Sequence, residues 1–292
     1  MHDAVVRLLR CPVCHETLAQ DGGTLRCGAG HAYDIARHGY VSLLAGAAPR
    51  GDTAAMVAAR DSFLSAGHYA WLADLLAARC TELATTCDPD PGVRATHQGG
   101  PVGGEACVVD AGAGTGYYLA AVLNRAPGVG VALDSSAYAL RRAAKAHPAI
   151  GAVRADLWRP LPVRDGVATL ILNVFAPRNG PEFRRILAPG GRLVTVTPRR
   201  GHLAELIDRL GLLSVDESKQ QRLADSLADF TAEDADDHQA TLRLDHAAVS
   251  ALVGMGPSAW HTEPDARAAR IAALPATVEV TASCRLTTWR PL

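Results

Sequence analysis

No apolar run in this chain approaches the roughly 20 residues that a membrane-spanning helix needs, and no export leader is visible at Met1-His2-Asp3. Both absences point to a cytoplasmic chain without a membrane partner. Lysine is nearly missing, with Lys145 and Lys219 the only two among 29 cationic residues. That bias is compositional, so arginine enrichment is not read as function. Net charge is close to absent at −1, which leaves only a local patch for contact with nucleic acid. The cysteine count is odd. Seven cysteines without an export signal argue against a disulfide framework. Cys80, Cys87, Cys107 and Cys284 read as ordinary reduced thiols. Core-forming material is plentiful: 48% hydrophobic residues over 292 positions suffices for one large domain and a small one.

The chain is organised around Val108-Val109-Asp110-Ala111-Gly112-Ala113-Gly114-Thr115-Gly116-Tyr117-Tyr118. Apolar residues run into an acid, three glycines follow at alternate positions, and a helix-like run continues to Arg125. The pattern reads as a buried strand, a tight turn and a helix, with a backbone that lies close against a ligand. The spacing differs from the G-x-G-x-x-G of dinucleotide sites. An acid two residues before the first glycine would repel a pyrophosphate, yet it can orient an amine or a water. The stretch resembles motif I of the Rossmann-like S-adenosylmethionine (SAM) methyltransferases. The next strand, Gly130 to Leu133, ends at Asp134, where nucleotide-binding sheets hold a ribose diol. A helix cap with Ser135 and Ser136 is the alternative for Asp134, and both roles are compatible.

Near the amino terminus, Cys11-Pro12-Val13-Cys14 is followed by Cys27 and His31, a C-x2-C-x12-C-x3-H pattern. Two thiolates on a first knuckle, a return turn at Asp21-Gly22-Gly23, and a second pair can close a tetrahedron around one zinc ion. Four protein ligands leave no open position, so this zinc is structural. His15 competes as a ligand but is adjacent to Cys14 and badly placed to share the ion.

Two further stretches follow in chain order: Ala32-Tyr33-Asp34-Ile35-Ala36-Arg37-His38-Gly39-Tyr40-Val41-Ser42-Leu43-Leu44, then Arg60-Asp61-Ser62-Phe63-Leu64-Ser65-Ala66-Gly67-His68-Tyr69. With the zinc motif before them and the glycine turn after them, the chain resembles the RlmA family of 23S rRNA (guanine-N1)-methyltransferases, within its TlrB-like actinobacterial branch. The resemblance implies SAM and one structural zinc as cofactors, a 23S rRNA hairpin as partner, a homodimer, and macrolide (tylosin-type) resistance. It also implies that Tyr69 and His202 contact SAM; the residues alone read equally as packing or capping positions. Ala113 and Thr115 replace a Cys and an acid common in the family's turn, which bears on the methionine end of the cofactor.

The expected fold is α/β, a Rossmann-like SAM methyltransferase with a doubly wound parallel sheet and a small N-terminal zinc-binding domain. The expected units are a zinc-binding RNA-recognition module at 1–50, a helical connector with a Gly/Pro-rich linker at 51–104, and the methyltransferase domain at 105–292. Strands are expected at 106–110, 130–134, 152–155, 167–172, 192–197, 241–245 and 278–289. Asp156, after the third strand, is either an adenine-edge ligand or a turn acid. Asn173 and Phe175 line the expected methyl-transfer site. Phe175 is either a stacking partner for an extruded guanine or a core residue, and Asn173 can hold a ligand through its amide. The expected cofactor residues are thus Tyr69, Asp110, Gly112, Gly114, Thr115, Gly116, Asp134, Asp156 and His202.

The segment 214–240 is acidic and reads as a solvated or mobile face. RNA is expected elsewhere, on the zinc module, with Arg7, Arg10, Arg26, Arg37 and Arg50 as candidates. Five arginines against Asp3, Glu16, Asp21 and Asp34 leave that module only about +1. Two other functions fit the residues: a SAM-dependent small-molecule methyltransferase stabilised by zinc, and a non-enzymatic zinc-dependent RNA-binding module.

Overall fold

The computed structural model describes residues 1–47, 49, 51–86, 106–211, 226–256 and 264–292. Arg50, the linker at 88–104, the first part of the acidic segment and the Pro257-to-Trp260 stretch lie outside the described residues.

The N-terminal unit opens with a short helix α1 (Asp3–Val6) and a three-stranded antiparallel ribbon: β1 (Leu18–Asp21), β2 (Thr24–Cys27) and β3 (Ala32–Asp34). The ribbon is fastened to the main body in three ways. Leu9 bridges Val163 in antiparallel fashion, the Arg10 amide donates to the Pro162 carbonyl, and the Arg10 guanidinium pairs with Asp165 at 3.0 Å. Apolar residues of the unit, Val5, Leu9 and Leu25, share one buried cluster with the sheet residues Val109, Val131 and Ile171.

A second sheet of eight strands forms the body. Its members are β4 (Tyr40–Ser42), β5 (Ala106–Ala111), β6 (Gly128–Asp134), β7 (Ile150–Arg154), β8 (Ala168–Val174), β9 (Leu187–Pro198), β10 (Phe230–Asp245) and β11 (Thr277–Pro291), in the order β10-β11-β9-β8-β5-β6-β7-β4. From β9 to β4 every pairing is parallel, and β10 and β11 add an antiparallel edge. The sheet is therefore mixed, not wholly parallel as the alternation of elements predicts. β4 comes from within residues 1–50, so the first module contributes a strand to the large sheet.

Strand β5 is covered on both faces, which is why it reads as an almost continuous apolar run. One face carries α2 (Ala54–Ser65), α3 (Ala70–Thr86), α4 (Tyr117–Arg125) and α5 (Ala137–Ala146), with Leu76, Leu119 and Leu140 in its core. The other face packs α1 and α6 (Gly180–Ile186) through Val5 and Phe183. Helices α7 (Ala204–Leu210), α8 (His246–Gly254) and α9 (Pro264–Ala272) close the antiparallel edge around Leu244, Val249 and Val280. No described helix is long and apolar enough to cross a membrane.

The acidic run is a solvent-facing strand, as the solvated alternative expects, and not a mobile segment. Its described part, 226–240, enters a 16-residue strand that pairs with β11 along its length, and the expected strand at 241–245 is only the tail of it. Its carboxylates are matched by arginines from three elements and one loop. Arg79 of α3 pairs with Asp234 and Asp236, Arg192 of β9 with Glu233, and Arg199 and Arg285 with Asp237. The partners lie far away in sequence, so charge density alone cannot reveal them.

Candidate functional site

In the ribbon, the backbone makes two knuckles that face each other. The Cys11 amide donates to the Glu16 carbonyl at 2.8 Å and the His15 amide to the Cys11 carbonyl at 2.9 Å. The second knuckle repeats this with Gly30 N–H on the Cys27 carbonyl at 3.0 Å. Glu16 ties the two together by accepting from the Ala29 amide at 2.9 Å. The four donors converge: Cys14 and Cys27 sulfurs are 3.6 Å apart, and His31 Nδ1 lies 3.3 Å from Cys27 Sγ and 3.7 Å from Cys11 Sγ. All four ligand atoms fall within 4.8 Å of one another. Zn–S bonds of about 2.3 Å and Zn–N bonds of about 2.0 Å at tetrahedral angles require edges of about 3.5 to 3.8 Å, so this donor set fits zinc. His15 points to solvent and takes no part. The Tyr33 hydroxyl sits 3.1 Å from Cys11 Sγ, where it would donate to the thiolate of a zinc-loaded site and orient it.

The second site lies at the carboxyl ends of β5, β6 and β8, where the sheet order reverses between β5 and β8. Such a switch point opens a crevice. Here the crevice is a cavity of about 460 Å3. Gly112 and Gly114 form its floor at φ +95° and +53°. A Cβ on Gly112 would stand 2.4 Å from Ala176 Cβ, so only glycine lets the β8 loop come this close. Gly116 serves differently. It opens α4 at φ +78°, and its bare Cα packs α4 against Ala143 of α5 instead of lining the cavity.

Asp110 lines this cavity and is 1% exposed, with Oδ1 lacking a partner among the described residues. Burial, and secondarily the nearby Asp134, pushes its carboxyl up to about 8. A buried carboxyl oxygen without a donor is a seat for an ammonium or hydroxyl group. Asp134 accepts from the Gly114 amide at 2.9 Å and the Ser136 amide at 2.7 Å, so it braces the glycine turn and the start of α5. Burial nevertheless raises its pKa; the two amide bonds oppose the rise. Asp156 lines the cavity while accepting from the Trp158 amide at 3.0 Å. Thr115 and Tyr69 also line it. Tyr69 is fully packed, edge-on to Phe63 at 5.2 Å, with its hydroxyl pushed up by burial.

The β8 loop carries the mouth. Phe175 adopts φ +52°, a strained value for a side chain of this size, and is 41% exposed. Tyr69 and His202 hold its ring at centroid distances of 6.5 and 5.9 Å. His202 stands behind Phe175, does not line the cavity, and accepts from the Ser283 amide through Nδ1 at 3.1 Å. Burial lowers its pKa to about 4, so it is neutral at physiological pH. Asn173 is fully buried. Its amide donates to the carbonyls of Ala111 and Pro177 and its oxygen accepts from Arg178, which shapes the loop and leaves no amide hydrogen for a ligand.

Several cavity residues carried no sequence signal. Trp158 lines the mouth at 68% exposure. Asp52 and Arg60 pair across the cavity wall, and Arg60 also donates to the Met255 carbonyl at 3.0 Å. The connector closes over the end of β6 because the Ser136 hydroxyl donates to the Asp52 carbonyl at 2.7 Å. The one hint was Arg60 at the head of the R-x-x-F-L stretch. Among the candidate RNA-binding arginines, Arg10 is taken up by Asp165 and anchors the ribbon, which corrects its expected role. Arg7, Arg26 and Arg37 remain on the surface, with Arg26 near Asp21 and Arg37 bonded to His38.

The comparisons agree with these two sites. Residues 9–47 match the zinc-ribbon family described as RlmA, N-terminal. Over its full length the chain is 52% identical to a protein of Micromonospora griseorubida provisionally named a 23S rRNA (guanine-N(1)-)-methyltransferase, all of which is covered. It is 49% identical, again with both chains fully covered, to the 23S rRNA (guanine(748)-N(1))-methyltransferase of Streptomyces fradiae. A solved structure of a provisionally named methyltransferase from Bacillus halodurans overlays 73% of this chain and 99% of its own, with a TM-score of 0.47 and 14% identity. The chain belongs to the RlmA family of 23S rRNA (guanine-N1)-methyltransferases.

Proposed function

We propose that this protein methylates N1 of guanine 748, or its positional equivalent, in a hairpin loop of 23S rRNA. The observation that carries the reading is the union, in one cavity, of the unpartnered Asp110 oxygen and the strained, exposed Phe175. SAM, when bound, would supply an electrophilic methyl group on a sulfonium. Every other requirement falls to the chain. Asp110 takes the ammonium of the methionine moiety, Asp134 the ribose hydroxyls, and Asp156 the adenine edge. Gly112 and Gly114 let the backbone approach. Phe175, backed by Tyr69 and His202, stacks on the extruded guanine and fixes N1 in line with the methyl. Guanine N1 must be unpaired to react and must lose its proton near the transition state. The zinc ribbon grips the hairpin through its shape and phosphates. A homodimer and tylosin-type resistance are part of the same reading.

The test is incubation of zinc-loaded protein and SAM with unmodified 23S rRNA, followed by reverse transcription. A new stop at guanine 748 supports the reading. A protein that binds SAM but leaves all rRNA guanines unmodified refutes it, and turnover of a metabolite panel instead would favour a small-molecule methyltransferase. Expression in a macrolide-sensitive host, scored by tylosin tolerance, tests the resistance role separately.

A further inference from the structure

Behind the β8 loop lies a second cavity, of about 350 Å3, floored by alternate residues of β9 and β11. Thr195 and Thr287 are register partners there, and Thr197 and Trp289 lie along the same two strands. The Trp289 indole donates to the Thr195 hydroxyl oxygen at 2.9 Å, which leaves that hydroxyl's own hydrogen free to donate.

Arg178 forms the wall next to the loop and is only 5% exposed. Its Nε donates to Asn173 Oδ1 at 3.2 Å, and its two terminal nitrogens meet no acceptor among the described residues. Among the described residues no carboxylate is paired with it, and burial lowers its pKa to about 10. A buried guanidinium without a counter-ion costs stability unless an anion completes it. At the rim, Arg199 and Arg285 share the single carboxylate of Asp237. Arg200 lines the cavity as well, so four guanidinium groups border it.

We propose that this pocket seats a backbone phosphate of the RNA substrate, with Arg178 as the buried bidentate donor and the threonine hydroxyls as its neutral partners. The assignment rests on the RNA methyltransferase reading and deepens it. A planar guanidinium fork beside hydroxyl donors suits tetrahedral phosphate oxygens and reads no base. The seat also reaches the reaction site. Arg178 holds Asn173, and Asn173 holds the carbonyls of Ala111 and Pro177, on either side of the loop that presents Phe175. A phosphate on Arg178 therefore fixes the loop at the moment RNA docks. Arg178 is a positioning residue in this scheme.

The experiment is hairpin RNA binding across a salt series for wild type, Arg178→Gln, Arg178→Lys and Thr287→Val, with SAM affinity measured alongside as the check on folding. Each lost phosphate contact lowers the slope of log K against log salt by about 0.7 to 0.9. Arg178→Gln is expected to lose one such step and to weaken binding about tenfold. Arg178→Lys is expected to regain most of the slope, and Thr287→Val to weaken binding without changing it. If Arg178→Gln no longer folds, Arg178→Lys and Thr287→Val decide. Wild-type slopes and affinities in every folded variant overturn the proposal. Inorganic phosphate is the second probe: saturable binding at Arg178 that RNA does not displace would mark a free-anion site and also overturn it. If wild type binds the hairpin normally but methylates nothing, the function fails while the phosphate seat still stands.

Discussion

Replacing Asp110 by Asn separates cofactor binding from stability, and the two effects run in opposite directions. The carboxyl is 1% exposed, one oxygen has no partner among the described residues, and burial pushes its pKa from 3.8 to about 8. Without ligand at pH 7 it is about nine-tenths protonated. An ammonium bound against it favours the ionised form, so binding must release that proton. Apparent SAM affinity in wild type is then expected to rise about tenfold from pH 6 to pH 7. The stability sign follows from the raised folded pKa. The group's contribution is full below its unfolded value near 3.8 and is lost as pH rises through about 8. At pH 7 the gap of about three units costs on the order of 4 kcal/mol. Asp110→Asn removes that cost, so the ligand-free variant should melt several degrees higher. It should also bind SAM at least tenfold more weakly, with the pH 6 to 7 rise abolished. Titration calorimetry at two pH values and a melting curve measure all of this. A variant that binds SAM as wild type does, with the same pH dependence, refutes the assignment of the ammonium to Asp110.

Gly112→Ala places a Cβ 2.4 Å from Ala176 at φ +95°; it should cost about 2 kcal/mol or more and loosen SAM binding, as seen by denaturant melts and calorimetry. Cys27→Ser removes one of four converging ligands. Zinc content should fall well below one ion per chain, amide protection should be lost in the ribbon, and SAM affinity should change less than about threefold because no ligand lines that cavity. Phe175→Ala should lower kcat for rRNA by about ten- to a hundredfold while leaving SAM affinity near wild type, since the ring sits at the mouth of the cavity and is 41% exposed. Equal losses in both measurements would mean Phe175 belongs to the cofactor site instead.

The sequence by itself determined the features that are local along the chain. Cys11, Cys14, Cys27 and His31 lie on two knuckles whose spacing dictates their convergence. Asp110, Gly112 and Gly114 lie on one strand and turn, and Asp134 ends the next parallel strand, so connectivity alone brings them together. The tertiary structure decided whatever depends on partners distant in sequence. The acidic strand is neutralised by Arg79, Arg192, Arg199 and Arg285, which come from α3, β9, the loop after β9, and β11. His202 reads as a cofactor contact by resemblance, yet it stands behind Phe175 because β11 takes its Nδ1. Asn173 spends its amide on the backbone, and Arg178 is left buried without an acid among the described residues. Periodicity and spacing report on neighbours within a few residues. Burial and pairing of a charge depend on which strands meet, and that is settled only when the sheet closes.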